Sequence, residues 1–443
     1  MNTVRLPRFA SIALLLIVIL ATVVACATPT PTPVPPTPTT VPPAAPQATK
    51  PAEPTKAPAT STPATAAPTS APAATSAPKS LTIGAIMPLS GPLSVPGLAW
   101  GRGFELYFDK VNEQGGIKVG IDRYLVKYIL EDGKGNPEAT STAANKLVNQ
   151  DSAKFVFGEI LDAGALAITQ ATAPKKAMHV LTWVTPGTKS DVNKDKPLTI
   201  RLGISGMDNQ PPLVEQFAKL YPNIKRVAIS APDIGYEKMI DSVKAALEAQ
   251  GKQVVYIEKW QWGTQDFVPT YNKVLANNPE AIWIMVSGQS AAQVKAVRGL
   301  NFKGVLIDDT PLDPDVHIRV TGANVGEILV SGMDITKPTE GMKEVIQRWQ
   351  TKFKDPFVSD ALPAFDTAAL FVQAVEKSQS VDPEKIMATF EGMTTAGNLK
   401  SVFGDASIGG AKQFGVNRVL QRPVPVTRIM NGQKEFLGLF PPK

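Results

Sequence analysis

Short apolar runs alternate with amphipathic stretches over the first half of the chain, from residue 81 onwards. The apolar runs that predict strands are 81–87, 124–130, 155–157 and 179–183. Between the first two, large side chains recur at i, i+3, i+4 and i+7, the spacing of one helix face: Phe104, Tyr107, Phe108 and Val111. Two more helices are predicted at 138–149 and 165–172. This alternation predicts a parallel sheet with helices on both faces.

The same alternation starts again after Arg201. The strands predicted there are 226–230, 254–259, 281–286, 305–307 and 327–334, and the helices between them are 237–249, 269–275 and 291–300. Helices at 340–353 and 362–378 follow, and the closing stretch 419–440 predicts short strands that cross back. Two similar α/β halves joined by several crossings predict a two-lobed protein. Ligands of such sheets bind at loops beyond the carboxyl ends of the strands, and a cleft between domains is a favoured site.

The N-terminal segment has a different pattern. Arg5 and Arg8 precede an apolar run over 9–24, and the small Ala25 comes just before Cys26, the only cysteine. The run is too short for a comfortable membrane span. The segment 1–26 resembles a bacterial lipoprotein signal peptide, in which Cys26 is lipidated and becomes the mature N-terminus. An ordinary signal peptide with an incidental cysteine is the alternative.

Residues 27–79 are rich in Pro, Thr and Ala and contain few large apolar residues, so they predict a disordered tether. The chain has 45 basic and 39 acidic residues, but five basic residues and one acidic residue fall within 1–79, which leaves the remainder a net charge of only +2. No basic stripe with interleaved aromatic residues is present, so nucleic acid is not an expected partner. Without a second cysteine, stability must come from the core.

Few residues suit catalysis. His179 and His317 are the only histidines, and neither has a second histidine or a cysteine at metal-ligand spacing. The sequence has no G-x-S-x-G string, no phosphate-binding loop motif and no complete dinucleotide fingerprint. We therefore expect neither a metal nor a cofactor. A glycosidase with two carboxylates stays open at this point, because acidic residues are plentiful.

Three strings carry a family resemblance: IGAIMPLSGPLSVPG (83–97), GRGFELYFDKVNEQGGI (101–117) and LEDGKGNPEATSTAANKLVNQD (130–151). Together they resemble the type 1 periplasmic solute-binding proteins, and within them the branched-chain amino acid receptor family of ABC importers. The resemblance implies a Venus-flytrap with a three-crossover hinge. The lobes it implies are 80–203 plus 333–410 and 204–332 plus 411–443.

The resemblance also implies ligand-binding loops in the first lobe. Asp162 stands where the family places a hydroxyl residue that binds the ligand carboxylate, a departure from the pattern because two carboxylates repel; capping the following helix is its alternative role. Thr182 and Thr185 are candidate donors in the next loop. Trp183 replaces a small residue or proline there, either to stack on a ligand ring or to cover the cleft wall.

In the second lobe, Tyr236 matches the family's Asp-x-x-Tyr element and is expected to close over the ligand, with core packing as the alternative. Asp308 and Asp309 occupy the neighbourhood of the family's ammonium-binding acid, or they are solvated acids at a strand end. Gln289 is a weaker candidate for a polar contact with the ligand.

These expectations combine into one function. The chain is expected to be a monomeric, non-catalytic receptor outside the cytoplasm, anchored to the membrane through a lipid on Cys26. It captures an amino acid or a related small polar solute, such as an amide or an aromatic compound, and passes it to the permease subunits of an ABC transporter. Two alternatives stay open: the same fold used to sense a ligand for a signalling partner, and an anchored hydrolase.

Overall fold

The computed structural model describes residues 77–91, 93–183, 188–203, 206–285, 287–311 and 313–442. All of them belong to one compact unit, Pro72–Lys443. The predicted signal peptide with Cys26, nearly all of the predicted tether, and Thr185 lie outside the described residues.

Strands and helices alternate along the described chain. The strands are β1 (Lys79–Met87), β2 (Ile117–Val119), β3 (Asp122–Asp132), β4 (Phe155–Phe157), β5 (Met178–Leu181), β6 (Thr199–Arg201), β7 (Arg226–Pro232), β8 (Gln253–Trp260), β9 (Ala281–Ile284), β10 (Val305–Asp308), β11 (Glu327–Val330), β12 (Leu399–Ser401), β13 (Gly404–Gly409), β14 (Val419–Gln421), β15 (Val424–Met430) and β16 (Gln433–Phe440). The α-helices are α1 (Ser94–Glu113), α2 (Pro137–Asn149), α3 (Asp162–Thr172), α4 (Gly206–Leu220), α5 (Glu237–Ala249), α6 (Val268–Leu275), α7 (Ser290–Gly299), α8 (Asp315–Thr321), α9 (Glu340–Lys352), α10 (Ala361–Ser378), α11 (Pro383–Gly392) and α12 (Ala411–Phe414).

The strands form two sheets. The first has the order β12-β13-β14-β6-β5-β4-β1-β3-β2, and the second has the order β16-β15-β11-β10-β9-β7-β8. The first sheet with α1–α3 and α9–α12 is called the first lobe below, and the second sheet with α4–α8 is called the second lobe. The prediction of an α/β protein with two lobes is confirmed.

The sheets are mixed, whereas the sequence pattern predicts parallel ones. Strands β3, β1, β4, β5 and β6 run parallel to their neighbours, and so do β8, β7, β9, β10 and β11. The edge pairs β2–β3, β12–β13, β13–β14 and β15–β16 are antiparallel. The parallel centres need helical crossovers, while the antiparallel edge strands return through shorter connections.

Aromatic side chains fill the core of the first lobe between its sheet and helices α1 and α10. The predicted apolar stripe of α1 supplies Phe104 and Phe108, whose rings meet the ring of Phe157 from β4 at 5.2 and 5.9 Å between centroids. Phe371 of α10 meets the same ring at 5.2 Å. All of these side chains are almost completely buried. The stripe therefore packs as its spacing predicts.

The chain changes lobe three times. It leaves the first sheet after β6, leaves the second sheet after β11, and passes from β14 to β15 near the C-terminus. The third change lies between Gln421 and Val424, whereas the predicted domain limit is at residue 410, because β14 still pairs with β13 and β6. The exact domain limits stay a proposal.

Candidate functional site

The predicted binding residues follow strands at the carboxyl ends of the two parallel centres. Asp162 follows β4, and Thr182 and Trp183 follow β5. In the second lobe, Tyr236 follows β7, Gln289 follows β9, and Asp309 follows β10, whose last residue is Asp308. Loops at this edge of an α/β sheet are the usual place for ligands, so these segments form the candidate site.

Asp162 binds the loop that follows β5 to the start of α3. Its Oδ1 accepts hydrogen bonds from the hydroxyl of Thr188 at 3.0 Å and from that of Ser190 at 2.5 Å, and those two hydroxyls lie 2.8 Å apart. Asp162 is the first residue of α3, and Leu161 is its N-cap. A carboxylate in the first turn suits the helix dipole, but Asp162 does not occupy the capping position.

Thr182 is turned into the protein. Its hydroxyl donates to the carbonyl oxygen of Glu159 at 2.8 Å, and the whole residue is buried. The backbone of Gly203, in the first crossover after β6, packs directly against Thr182. A Cβ on Gly203 would lie 1.3 Å from the Thr182 carbonyl oxygen. Only glycine fits at position 203, so the backbone there is held close to the candidate site.

Trp183 contacts the other lobe. It follows β5 of the first sheet, yet its half-buried side chain packs against the hydrophobic cluster of the second lobe that contains Tyr236 and Met285. Of the two predicted roles, covering the cleft wall agrees with this packing. A role in stacking on a ligand ring stays a proposal.

Glu159 is a buried acid that the sequence did not single out. Its carboxyl group lies against the start of α3, since a Cβ on Gly164 would be 1.9 Å from Glu159 Oε2. Burial raises the pKa of Glu159 from 4.5 to about 8, although the backbone N–H of Leu161 acts in the opposite direction. The carboxyl group is therefore largely neutral at pH 7. A single Glu after a short apolar strand gives no sequence signal that it is buried.

Tyr236 is also buried, with 3% of its surface exposed. It is the N-cap residue of α5 and packs in the core cluster of the second lobe, beside Met239 and Ile240. The preceding residues Asp233 and Ile234 are exposed. The alternative of core packing agrees with these contacts, and contact with a ligand stays a proposal.

Asp308 and Asp309 are completely buried, so neither is a solvated surface acid. Asp308 Oδ2 lies 2.8 Å from His317 Nε2, and the backbone N–H of Thr310 donates to Oδ1 at 2.9 Å. Asp309 Oδ2 accepts from Trp283 Nε1 at 3.0 Å and from Gln210 Nε2 at 3.1 Å. Both carboxylates are thus held by donors of the second lobe itself.

Gln289 is the N-cap residue of α7, and its amide nitrogen donates to the carbonyl oxygen of Thr264. Its Oε1 is buried without a hydrogen-bond partner, and so is the hydroxyl of Ser290, the first residue of α7. Buried oxygens of this kind are able to accept or share a hydrogen bond from an entering molecule.

Two arginines are buried beside the crossovers. Arg201, the last residue of β6, lies 3.5 Å from Asp191 in its own lobe and 3.5 Å from Asp208 on α4. Arg422, which lies between β14 and β15, is 3.7 Å from Asp366 and 3.6 Å from the ring centre of Phe403. Burial lowers the pKa of Arg422 to about 10, while Asp366 and Asp208 act to raise it. These charges link the two lobes at the hinge and were not predicted from the sequence.

No group of three His, Cys, Asp or Glu side chains is placed to hold a metal ion within the ranges that the structure describes. In the same ranges, no helix has the length and apolarity needed to cross a membrane.

A comparison with protein families identifies the chain. The family described as periplasmic binding protein matches residues 80–434. This range includes every described strand and helix except the first residue of β1 and the end of β16. The chain belongs to the periplasmic binding protein family. Members of this family bind solutes and are not enzymes, so the anchored hydrolase is excluded, and the family implies a location outside the cytoplasm.

Individual relatives of this periplasmic binding protein are distant. It is 27% identical over 319 residues to the Leu/Ile/Val-binding protein BraC3 of Rhizobium johnstonii, a match that covers 70% of this chain and 82% of that protein. A leucine-binding protein LivK of Thermotoga maritima has a similar structure, with a TM-score of 0.63 and 20% identity over 82% of this chain and 99% of the other.

A solute-binding protein of an ABC transporter from R. palustris, solved in complex with 4-hydroxybenzoate, has a TM-score of 0.67 and 20% identity over 82% of this chain and 98% of the other. At this identity, the two structural similarities show the fold and leave the ligand of this periplasmic binding protein open.

Proposed function

We propose that this periplasmic binding protein is a lipid-anchored receptor of an ABC importer. It captures an amino acid or a related small polar solute, an amide or an aromatic compound, between its two lobes. The observation that carries the proposal is the arrangement of candidate residues at the carboxyl ends of both parallel sheets, in a chain whose family binds solutes. The names of its relatives support the solute class, since they include Leu/Ile/Val-binding proteins and a 4-hydroxybenzoate complex.

The proposed binding residues belong to both lobes. In the first lobe they are Asp162, Thr182, Trp183 and Thr185, and in the second they are Tyr236, Gln289, Asp308 and Asp309. Trp183 supports a coupling between the lobes, because it follows a strand of one sheet and packs against the core of the other. A ligand that changes this contact shifts the equilibrium between open and closed forms by its difference in affinity for the two forms.

Anchoring through Cys26 suits this role. A receptor held near its permease by a tether has a higher effective concentration there than a free one. The proposed anchor rests on the string VVAC at residues 23–26 and on the Pro-rich segment after it.

The test is a thermal unfolding assay of the full chain against a panel of amino acids, amides, aromatic acids and polyamines. A ligand present at about a hundredfold excess over its dissociation constant adds about 2.7 kcal/mol of stability. We expect at least one compound to raise the melting temperature. If no compound does so and none co-purifies with the protein by mass spectrometry, the receptor function is contradicted.

Tyr236→Phe provides a matched variant, because it keeps the packed ring and removes only the hydroxyl. We expect a ligand from the panel to bind this variant several-fold more weakly while the melting temperature without ligand stays within the range of the wild type. Unchanged affinity would assign Tyr236 to core packing alone. Uptake of the same compound in cells with and without the permease separates import from sensing. Loss of uptake without the permease supports import, and unchanged uptake supports sensing.

A further inference from the structure

The first lobe already holds a carboxylate at the position where an anionic ligand group would be best stabilised. Backbone N–H groups at a helix N-terminus favour a negative charge. At the start of α3 that charge belongs to Asp162, which accepts hydrogen bonds from Thr188 and Ser190. A ligand carboxylate at the same place would meet a like charge at short range and would compete for the same two hydroxyls.

The second lobe offers acceptors. The carboxylate of Asp309 accepts a hydrogen bond from the amide nitrogen of Gln210, and its backbone carbonyl accepts one from Asn209. In both contacts the amide nitrogen is the donor, and this fixes which way the two amides point. The amide oxygens, Asn209 Oδ1 and Gln210 Oε1, are consequently left buried without a hydrogen-bond partner, in residues that are 0% and 1% exposed.

The end of β9 adds to this set. Gln289 Oε1 and Ser290 Oγ are also buried without a partner, and Ser290 is 0% exposed. Leaving a buried acceptor without a donor destabilises a protein, and a bound molecule with N–H groups removes that penalty. The unpartnered oxygens thus point to a ligand that donates hydrogen bonds to this lobe.

The described loops that follow the parallel strands contain no completely buried basic side chain. Among the described residues of the loops that follow the parallel strands, the basic side chains are Lys134, Lys189, Lys194, Lys196 and Lys337. All are exposed except Lys196, which is half-buried and donates hydrogen bonds to the backbone carbonyl oxygens of Lys189 and Asp191. The arginines at the hinge, Arg201 and Arg422, have buried N–H groups without a hydrogen-bond partner, but acidic side chains at 3.5 to 3.7 Å balance their charge. A ligand carboxylate would therefore find no buried basic side chain in these loops to neutralise it.

We propose that the ligand of the cleft carries no carboxylate and presents N–H donors to the second lobe, as a small primary amide, urea or amine does. This inference rests on the proposed receptor function and narrows its solute class. The proposed ligand class differs from the ligands in the names of the relatives, because leucine, isoleucine, valine and 4-hydroxybenzoate all carry a carboxylate.

Matched pairs of compounds test the proposal on the full chain: leucine with leucinamide, and 4-hydroxybenzoate with 4-hydroxybenzamide, together with urea and putrescine. Thermal unfolding gives the first measurement, and titration calorimetry gives dissociation constants. We expect at least one of the compounds without a carboxylate to bind. If that compound is leucinamide or 4-hydroxybenzamide, it should bind at least about tenfold more tightly than the matching carboxylate. A carboxylate that binds as tightly as its amide overturns the ligand class and leaves the receptor function intact.

A substitution at Asp162 gives a second test. Asp162→Ser removes the charge and keeps a hydroxyl, so we expect affinity for the carboxylate of the pair to rise about tenfold relative to its amide. Asp195→Ser is the control, because Asp195 is an exposed acid further along the same loop and its loss should leave the ratio unchanged. If Asp162→Ser does not fold, Asp162→Asn keeps an acceptor for Thr188 and Ser190.

An unchanged ratio in a folded Asp162 variant contradicts the proposed role of Asp162. The absence of binding by every compound, carboxylate or not, contradicts the receptor function itself and overturns this proposal with it.

Discussion

Glu159 is expected to make folding stability fall as the pH rises. Its carboxyl group has a pKa of about 8 in the folded protein, against 4.5 for the ordinary group, because it is buried between α3 and the sheet. Between these values the unfolded chain releases the proton while the folded chain keeps it. The stabilisation is therefore complete below about pH 4.5 and is lost as the pH rises towards about 8.

The size of the effect follows from the shift. Each unit of pKa corresponds to about 1.4 kcal/mol, so the whole window is worth about 5 kcal/mol, and the interval from about pH 6.5 to about pH 8 is worth about 2 kcal/mol. The interval from about pH 6.5 to about pH 8 is the better one to measure, because another buried group, His179, affects the pH dependence only at lower pH. Burial lowers the pKa of His179 to about 3. His179 consequently stabilises the fold above about pH 6.5 and loses that contribution only as the pH falls towards 3.

Glu159→Gln tests the expected pH dependence of stability, since glutamine is nearly the same size and does not titrate. Urea unfolding at a series of pH values should show that the variant gains about 2 kcal/mol on the wild type between about pH 6.5 and about pH 8. Glu138→Gln is the control, because Glu138 is an exposed residue in the first turn of α2. Parallel stability curves for Glu159→Gln and the wild type would refute the buried, neutral carboxyl group.

Three further predictions concern the core, the hinge and the N-terminus. Phe157→Ala removes a completely buried ring that three other aromatic rings contact, and should cost about 3 to 5 kcal/mol in urea unfolding; a loss below about 1 kcal/mol would mean that the site collapses without a cavity. Asp208→Asn weakens the charge balance of Arg201 and should cost about 1 to 3 kcal/mol by the same assay, and a neutral result would show that Asp191 suffices. Cys26→Ser should abolish lipid labelling and membrane retention of the precursor, and equal labelling of variant and wild type would reject the anchor.

The parallel strands and most helices could be predicted from the sequence because their patterns are strong. The run 81–87 lies within β1, and the stripe from Phe104 to Val111 lies within α1 and faces the core. The signals fail where elements are short or carry unfavourable residues. Strand β6 has only three residues, too few to show a clear pattern. Helix α4 contains Pro211 and Pro212, and proline inside a stretch of sequence normally predicts that no helix continues there. Tertiary packing decides both.

The sequence predicts which loops form the candidate site, but it does not predict which side chains in those loops contact each other. Asp162, Thr182 and Asp309 stand where strands end, which sequence order reveals. That Asp162 binds Ser190, or that Trp283 donates to Asp309, depends on residues distant along the chain. Buried partners such as Glu159 and Arg201 have no periodic pattern, and only the folded structure brings them together.

In the proposed function the two lobes close on a small solute, so the distance between the lobes should shorten when the solute binds. Val95 at the start of α1 and Ile234 after β7 are exposed by 64% and 40%, and they belong to different lobes. Spin labels on Val95→Cys and Ile234→Cys, in the full chain with Cys26→Ser, report this distance by pulsed electron paramagnetic resonance. The compound with the largest thermal shift should shorten the distance between the labels. An unchanged distance distribution at saturating compound would contradict capture by lobe closure.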